Sequence, residues 1–367
     1  MTIRDIISWI KKCKIKRLWA RWRIWGLVIL SLSLCLGGLP AFDDYAQARP
    51  ATTPVTQVAQ AQGQWGFIDY RGKLAIPAQF EDAYSFSSGL AAVKVKGSYG
   101  YINLQGRVRI KPQFDQAYPF SDGLAHVKTA GKFGFIRPNG QFAINPQFNG
   151  AGAFVDGLAP VKQGDKWGYI RKNQKLVIPL QFQEAQEFSE GAAAVKVRDQ
   201  WGFINSNGRL IVPARYQAVY PFSEGLAAVQ ENGKWGFVNR DGRVVIQPDY
   251  GAVYNFGDGV AAVEKEGKWG FINKGNRPEI PLQFEKVAPF SEGLAVVQQG
   301  SRYGYMNRTG RVVIPSRFDA AYFFVSGLAP VMQSGKYGFI DTSGQMVINP
   351  QFASAFYFYE GLARVQL

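Results

Sequence analysis

Gly233-Lys234-Trp235-Gly236-Phe237-Val238-Asn239-Arg240-Asp241-Gly242-Arg243-Val244-Val245-Ile246-Gln247-Pro248-Asp249-Tyr250 decides the fold. Apolar and polar residues alternate in it with a period of two, the pattern of short strands. Asn232-Gly233 before it and Asp241-Gly242 within it are tight-turn sequences. The same text returns every 34 residues without a slip, with the aromatic-Gly pair at Trp65, Tyr99, Phe133, Trp167, Trp201, Trp235, Trp269, Tyr303 and Tyr337. Gly89, Gly123, Gly157, Gly191, Gly225, Gly259, Gly293, Gly327 and Gly361 keep step, and Phe86, Phe120, Phe154, Phe188, Phe222, Phe256, Phe290, Phe324 and Phe358 form a second column. Self-similarity at such a period means an array in which each unit buries its apolar face against its neighbours.

A period of 34 also fits arrays of paired helices, but each unit carries several Gly and a Pro at fixed places, such as Gly208 and Pro213, which would break both helices. Four strands per unit are expected: Gly225 to Gln230, Trp235 to Asn239, Arg243 to Ile246, and a Phe/Tyr-rich segment from Tyr250 to Phe256 that reads equally as a packed loop. The Pro after the third strand, as at Pro77 and Pro112, is expected at a strand end, where a missing N–H is tolerated. Gln174 and Asn276 replace the Gly of the second turn; Asn adopts a left-handed conformation readily and Gln does not, so a different turn is expected near Gln174.

Units of the form Gly-Lys-Trp-Gly-Phe-(Ile/Val)-(Asn/Asp)-x-x-Gly-x-(Val/Leu)-x-Ile-x-Pro-x-(Phe/Tyr) resemble the WG, or KWG, repeat family, and the resemblance covers residues 63–367. It implies bacterial proteins, often exported, and brings no catalytic residues with it. Tyr or Phe replaces Trp at positions 99, 133, 303 and 337, so the ring matters more than the indole N–H.

The chain enters the array at an aromatic strand, Trp65, and leaves it on an Ala/Val strand, Gly361 to Leu367. If that last strand pairs with the first, the array closes and loses its exposed edges. The expected fold is therefore all-β, with nine antiparallel repeats in a closed, propeller-like ring; an open β-solenoid is the alternative.

Residues 1–48 read as a signal peptide or N-terminal membrane anchor: Arg4, Lys11, Lys12, Lys14, Lys16, Arg17, Arg21 and Arg23 precede an apolar run from Ile24 to Leu36, and Ala46-Gln47-Ala48 offers a small-x-small cleavage site. Residues 49–63 read as a flexible linker and 64–367 as the repeat domain. Cys13 and Cys35 both lie in the leader, so no disulfide is expected in the repeats. Packing has to hold them, at ~1.5–3 kcal/mol per buried apolar side chain.

The formal charge of +15 is patterned. Lys132, Lys166, Lys234, Lys268, Arg302 and Lys336 precede the aromatic residue. Lys73, Arg107, Lys175, Arg209, Arg243, Arg277 and Arg311 follow the second turn, and Asp122, Asp156, Glu190, Glu224, Asp258, Glu292 and Glu360 precede the Gly column. Strand alternation places the second basic set and the acids at one end, where they could pair, and leaves Lys132 and its equivalents alone at the other. These six form the candidate ligand-binding set, facing an anionic envelope polymer or a partner protein. The lone His126 occupies a variable column read as exposed and incidental, and no metal site, cofactor site or nucleophile triad is expected. The sequence reads as an exported, non-catalytic binding or scaffold module that does not bind nucleic acid and meets a membrane only through an uncleaved leader. A purely structural envelope protein and a carboxylate-based glycan hydrolase are the alternatives.

Overall fold

A computed structural model of the chain describes residues 63–367; the leader and nearly all of the linker lie outside the described residues. The repeats form nine four-stranded antiparallel sheets, the blades of a closed β-propeller. In blade 5 the strands are Ala218–Val219, Leu226–Glu231, Lys234–Asn239 and Val244–Tyr250, hydrogen-bonded in chain order. Blades are numbered here from the one that opens at Asp82. The ambiguous segment thus becomes a two-residue strand with an extended continuation, except in blades 4 and 9, where Glu184–Ser189 and Ser354–Tyr359 are full strands.

The Pro expected at a strand end lies inside the fourth strand instead, as in Val108–Phe114. There the strand bulges: Trp201 faces Tyr216 and Phe203 faces Val212, so two residues of the aromatic strand oppose four. The extra length swings the backbone across the Gly of the aromatic-Gly pair. A Cβ at Gly202 would stand 2.6 Å from Val212 O and 2.7 Å from Ala214 N, and each equivalent Gly meets the same crossing backbone. The invariant Gly is therefore a seat for the bulged middle of the fourth strand of its own blade. The Pro needs no ladder partner at the bulge.

Closure occurs as the phase of the repeats predicted. Leu362–Gln366 pairs with Trp65–Ile68, with Trp65 opposite Gln366 and Ile68 opposite Ala363, so blade 9 takes two strands from each end of the chain. Every blade junction holds one aromatic pair, the residue after the aromatic-Gly dipeptide against the Phe column of the following blade. Phe203–Phe222, Tyr101–Phe120 and, between blades 9 and 1, Phe67–Phe86 have ring centroids 4.8, 5.0 and 4.9 Å apart. Such tilted and edge-on pairs add about 0.5–1.5 kcal/mol each beyond the area they bury.

The segments that continue the first strands of neighbouring blades touch one another: Asn255 Nδ2 donates to Pro221 O at 3.1 Å, and Tyr84 and Tyr118 have centroids 5.9 Å apart. The fourth strands instead expose Val108, Leu176, Leu210 and Val313. The first strands therefore ring the axis and the fourth strands form the perimeter.

Candidate functional site

The hairpins between the second and third strands gather at one end of the ring. Lys132, Lys166, Lys234, Lys268, Arg302 and Lys336 stand there, one per blade, on blades 2, 3, 5, 6, 7 and 8, and all are exposed. The ring thus brings the whole candidate set to one face without bringing any two into one blade. Arg302 is committed to an ion pair with Asp319, while among the described residues the five lysines make no ion pair within 4.0 Å. This end also carries acids, contrary to expectation. Glu81 accepts from Gly97 N at 3.1 Å and Asp319 from Ser334 N at 2.7 Å, each carboxylate capping a hairpin.

At the opposite end lies the acidic column. Its residues occupy the first position of two-residue turns at φ 50–54°, followed by Gly at φ 76–89°, the type I′ geometry. Five of the seven carboxylates, those of Asp122, Glu190, Glu224, Glu292 and Glu360, reach the next blade: Glu190 accepts from Glu224 N and Gly225 N at 2.8 and 2.9 Å, and Glu360 accepts from Gly89 N at 2.9 Å across the closure. The expected pairing with Arg209, Arg243 and their equivalents is corrected: those side chains are exposed. The cations that approach the acids come from the middle of the next blade's turn, Lys172 on Asp122, Arg240 on Glu190 and Lys274 on Glu224, at 4.0, 3.7 and 3.3 Å. A recess of about 280 Å³ between blades 2 and 3 is lined by Asp122, Arg137 and Lys172. Its carboxylate already holds Gly157 N at 2.9 Å.

Gln174 forms the same turn as its Gly counterparts, at φ 67°, with its N–H on Arg171 O at 2.9 Å, and its Nε2 on Ala143 O at 3.4 Å. The flanking strand register, together with that contact, holds the left-handed conformation that Gln alone disfavours.

His126 is also corrected. It is 9% exposed, stacked on Tyr118 at 4.1 Å, and its Nδ1 has no hydrogen-bond partner. Burial pulls the imidazole down to about 3, so it is neutral. Arg364 occupies the same column in blade 9, over Phe356 at 3.7 Å and Trp65 at 5.2 Å, and donates to Ala83 O.

Sequence reasoning overlooked the inner segments, which vary most between repeats. Tyr84, Tyr118, Tyr220, Tyr254, Tyr322 and Phe356 cover the aromatic-Gly ring of their own blades at 4.7–6.5 Å. In blade 3 that cover is missing, because Gly152 stands in its place. The signal that marks this was in the sequence: Gly150-Ala151-Gly152-Ala153 interrupts a bulky column.

A family model described as "WG containing repeat" matches residues 65–98, 99–133, 133–167, 167–201, 201–235, 235–269, 269–303, 303–337 and 337–367. A comparison with curated proteins returns no match. Among solved structures, a eukaryotic initiation factor superimposes with TM-score 0.58 at 10% identity, covering 84% of this chain and 98% of that one. BamB from Moraxella catarrhalis has TM-score 0.41 at 11% identity, covering 78% and 97%. Kluyveromyces lactis Hsv2p has TM-score 0.39 at 11% identity, covering 62% and 92%. At such identities the first of these supports the fold alone. With its period, its crossing glycines and its nine matched units, this chain belongs to the WG repeat family.

Proposed function

We propose that the chain is an exported, non-catalytic binding module whose hairpin end engages an anionic envelope polymer or an acidic partner protein. The observation that carries this reading is the convergence of Lys132, Lys166, Lys234, Lys268 and Lys336 on one face of a closed ring, exposed and without ion pairs among the described residues. Spread over several blades, they suit an extended partner rather than a small molecule, and the attraction is of the kind that salt screens. The carboxylates that a glycan hydrolase would draw upon favour a scaffold role, since Asp122, Glu190, Glu224, Glu292 and Glu360 are spent on amides of the next turn.

The test is co-sedimentation of the chain with a bacterial cell-envelope fraction at low and high salt, beside a variant with Lys132, Lys166, Lys234, Lys268 and Lys336 changed to Gln. Retention of the parent at low salt, lost at high salt and lost in the variant, is the expected result. Equal retention of both proteins would remove the lysine face from the account.

A further inference from the structure

Among the aromatic-Gly positions, Trp167 is the one that is half-buried and has no ring against it. Trp65, Tyr99, Phe133 and Tyr337 are also half-buried, but each has a ring partner from its own blade. Where the covering ring is lost in blades 4 and 7, at Gln186 and Ala288, Trp201 and Tyr303 are still only 9% and 7% exposed. The indole of Trp167 lies across Lys162 toward the axis: a Cβ at Gly150 would stand 2.9 Å from its Cη2 and 3.2 Å from Lys162 Cβ. Gly150 is thus what allows the ring to lie flat along the blade, and Gly152 is what leaves it uncovered.

The surroundings of this platform are equally specific. Lys162 pairs directly across from Trp167, and Lys166 stands one residue before it on the hairpin. Lys128 and Lys132 hold the corresponding positions on blade 2. None of these four makes an ion pair within 4.0 Å among the described residues, and the acid nearest in the chain, Asp165, sits at the exposed hairpin tip. On the axial side, Glu187 of blade 4 reaches back: a Cβ at Gly152 would lie 2.5 Å from its Oε1 and 2.7 Å from Pro160 Cγ. That oxygen accepts from Ala153 N at 3.2 Å, and burial raises the carboxyl above its ordinary value. Glu187 brings a carboxyl to a column that elsewhere holds Ser85, Pro119, Ala153, Pro221, Asn255, Pro289, Phe323 and Tyr357.

We infer that the cleft between blades 3 and 4 at the hairpin end binds an acidic saccharide, a uronate-type unit of an anionic glycan, with its ring face on Trp167, its carboxylate on Lys162, a hydroxyl on Glu187, and Lys166 adding positive charge from the adjoining hairpin tip. A flat, uncovered indole suits the C–H face of a pyranose, the lysines suit its charge, and a carboxyl suits its hydroxyls. A polypeptide polyanion would use the lysines and leave the indole and Glu187 without a role. This inference rests on the polyanion reading of the hairpin end and narrows it to one ligand class and one sector.

The experiment is calorimetric titration of the full chain, in mild detergent, with polygalacturonate, poly-L-glutamate and neutral dextran. The variants are Trp167→Ala, Trp167→Phe and the pair Lys162→Gln with Lys166→Gln, each checked for an unshifted melting midpoint. Expected are polygalacturonate binding that weakens about tenfold in Trp167→Ala and in the double Gln variant, less in Trp167→Phe, and dextran binding too weak to detect. Glutamate polymer binding is expected to fall in the Gln variant and to change less than about twofold in Trp167→Ala. If Trp167→Ala does not fold, the Phe and Gln variants decide. Equal binding of both polyanions, unaffected at Trp167, overturns the saccharide inference and leaves the lysine face standing. Binding of neither polyanion overturns both.

Discussion

A single methyl group at position 202 would have nowhere to go. The crossing backbone at Val212 O and Ala214 N would lie 2.6 and 2.7 Å from it, and neither atom can move without shifting the outer strand. Gly202→Ala is therefore expected to cost about 2–4 kcal/mol, read in urea unfolding, whereas a change at the exposed Asn207 on the same blade should stay within about 0.5 kcal/mol. The period made this Gly visible as an invariant column, but the residue alone says only that a side chain is missing; what passes over it is tertiary. His126 illustrates the opposite case, since its variable column suggested exposure while its own neighbours, Tyr118 and Phe133, bury it. Its folded-state pKa, about 3, lies below the ordinary value of 6.5, so the unfolded chain binds the proton first as pH falls. The His126 contribution is thus fully present above about pH 6.5 and is lost at up to about 1.4 kcal/mol per pH unit on the way down to about pH 3. His126→Ala should flatten that part of the stability profile, and a variant with the same acid slope as the parent would show that the imidazole is not shielded.

At the level of the element, the two-residue turns that precede the Ala/Val strands set two preferences against each other. An acid at φ 50–54° is strained where Gly or Asn would not be, yet seven repeats place one there. The gain comes from the neighbouring blade, because Glu190 accepts from two amides, Glu224 N and Gly225 N, and stands 3.7 Å from Arg240. Glu190→Gly separates the two effects: it relieves the left-handed strain by roughly 1 kcal/mol but leaves two turn amides without their charged acceptor, each worth about 1.5–3 kcal/mol. A net loss of stability is expected, and a neutral or stabilised variant would mean that solvent replaces the carboxylate without cost. Strand order, turn positions and amphipathic alternation were legible in the sequence because each is set within one repeat. The partner of the acid column was not, since the offset between neighbouring blades follows from how sheets pack. The site followed the same division: the lysines could be placed on one end from strand alternation, while Trp167 became a candidate only when the fold showed that Gly150 and Gly152 leave it lying open.

For the whole molecule, closure is the property that turns nine equivalent interfaces into one cooperative body. The last strand, Leu362–Gln366, buries Ala363 and Val365 completely and supplies the ladder for Trp65–Ile68, while Leu367 N donates to Gln64 O at 3.3 Å. The two ends of the repeat array are therefore neighbours, and the ring does not depend on being opened at Gly63. A circular permutant that joins Leu367 to Gly63 through a short Gly/Ser linker and opens the exposed Glu266-Gly267 turn keeps every ladder intact. It is expected to melt within about 5 °C of the parent ring, because a new pair of termini at a loop tip costs little. Deleting 362–367 removes a few residues yet exposes two unpaired strand edges and the aromatic junction at Phe67, so its midpoint should fall by more than about 10 °C, with self-association through the open blade. Comparing these two proteins by thermal melting and light scattering distinguishes loss of closure from mere disturbance of the termini. A truncated ring that melts with the permutant would mean that blade-to-blade packing suffices and that the shared sheet adds nothing to the cohesion of the ring.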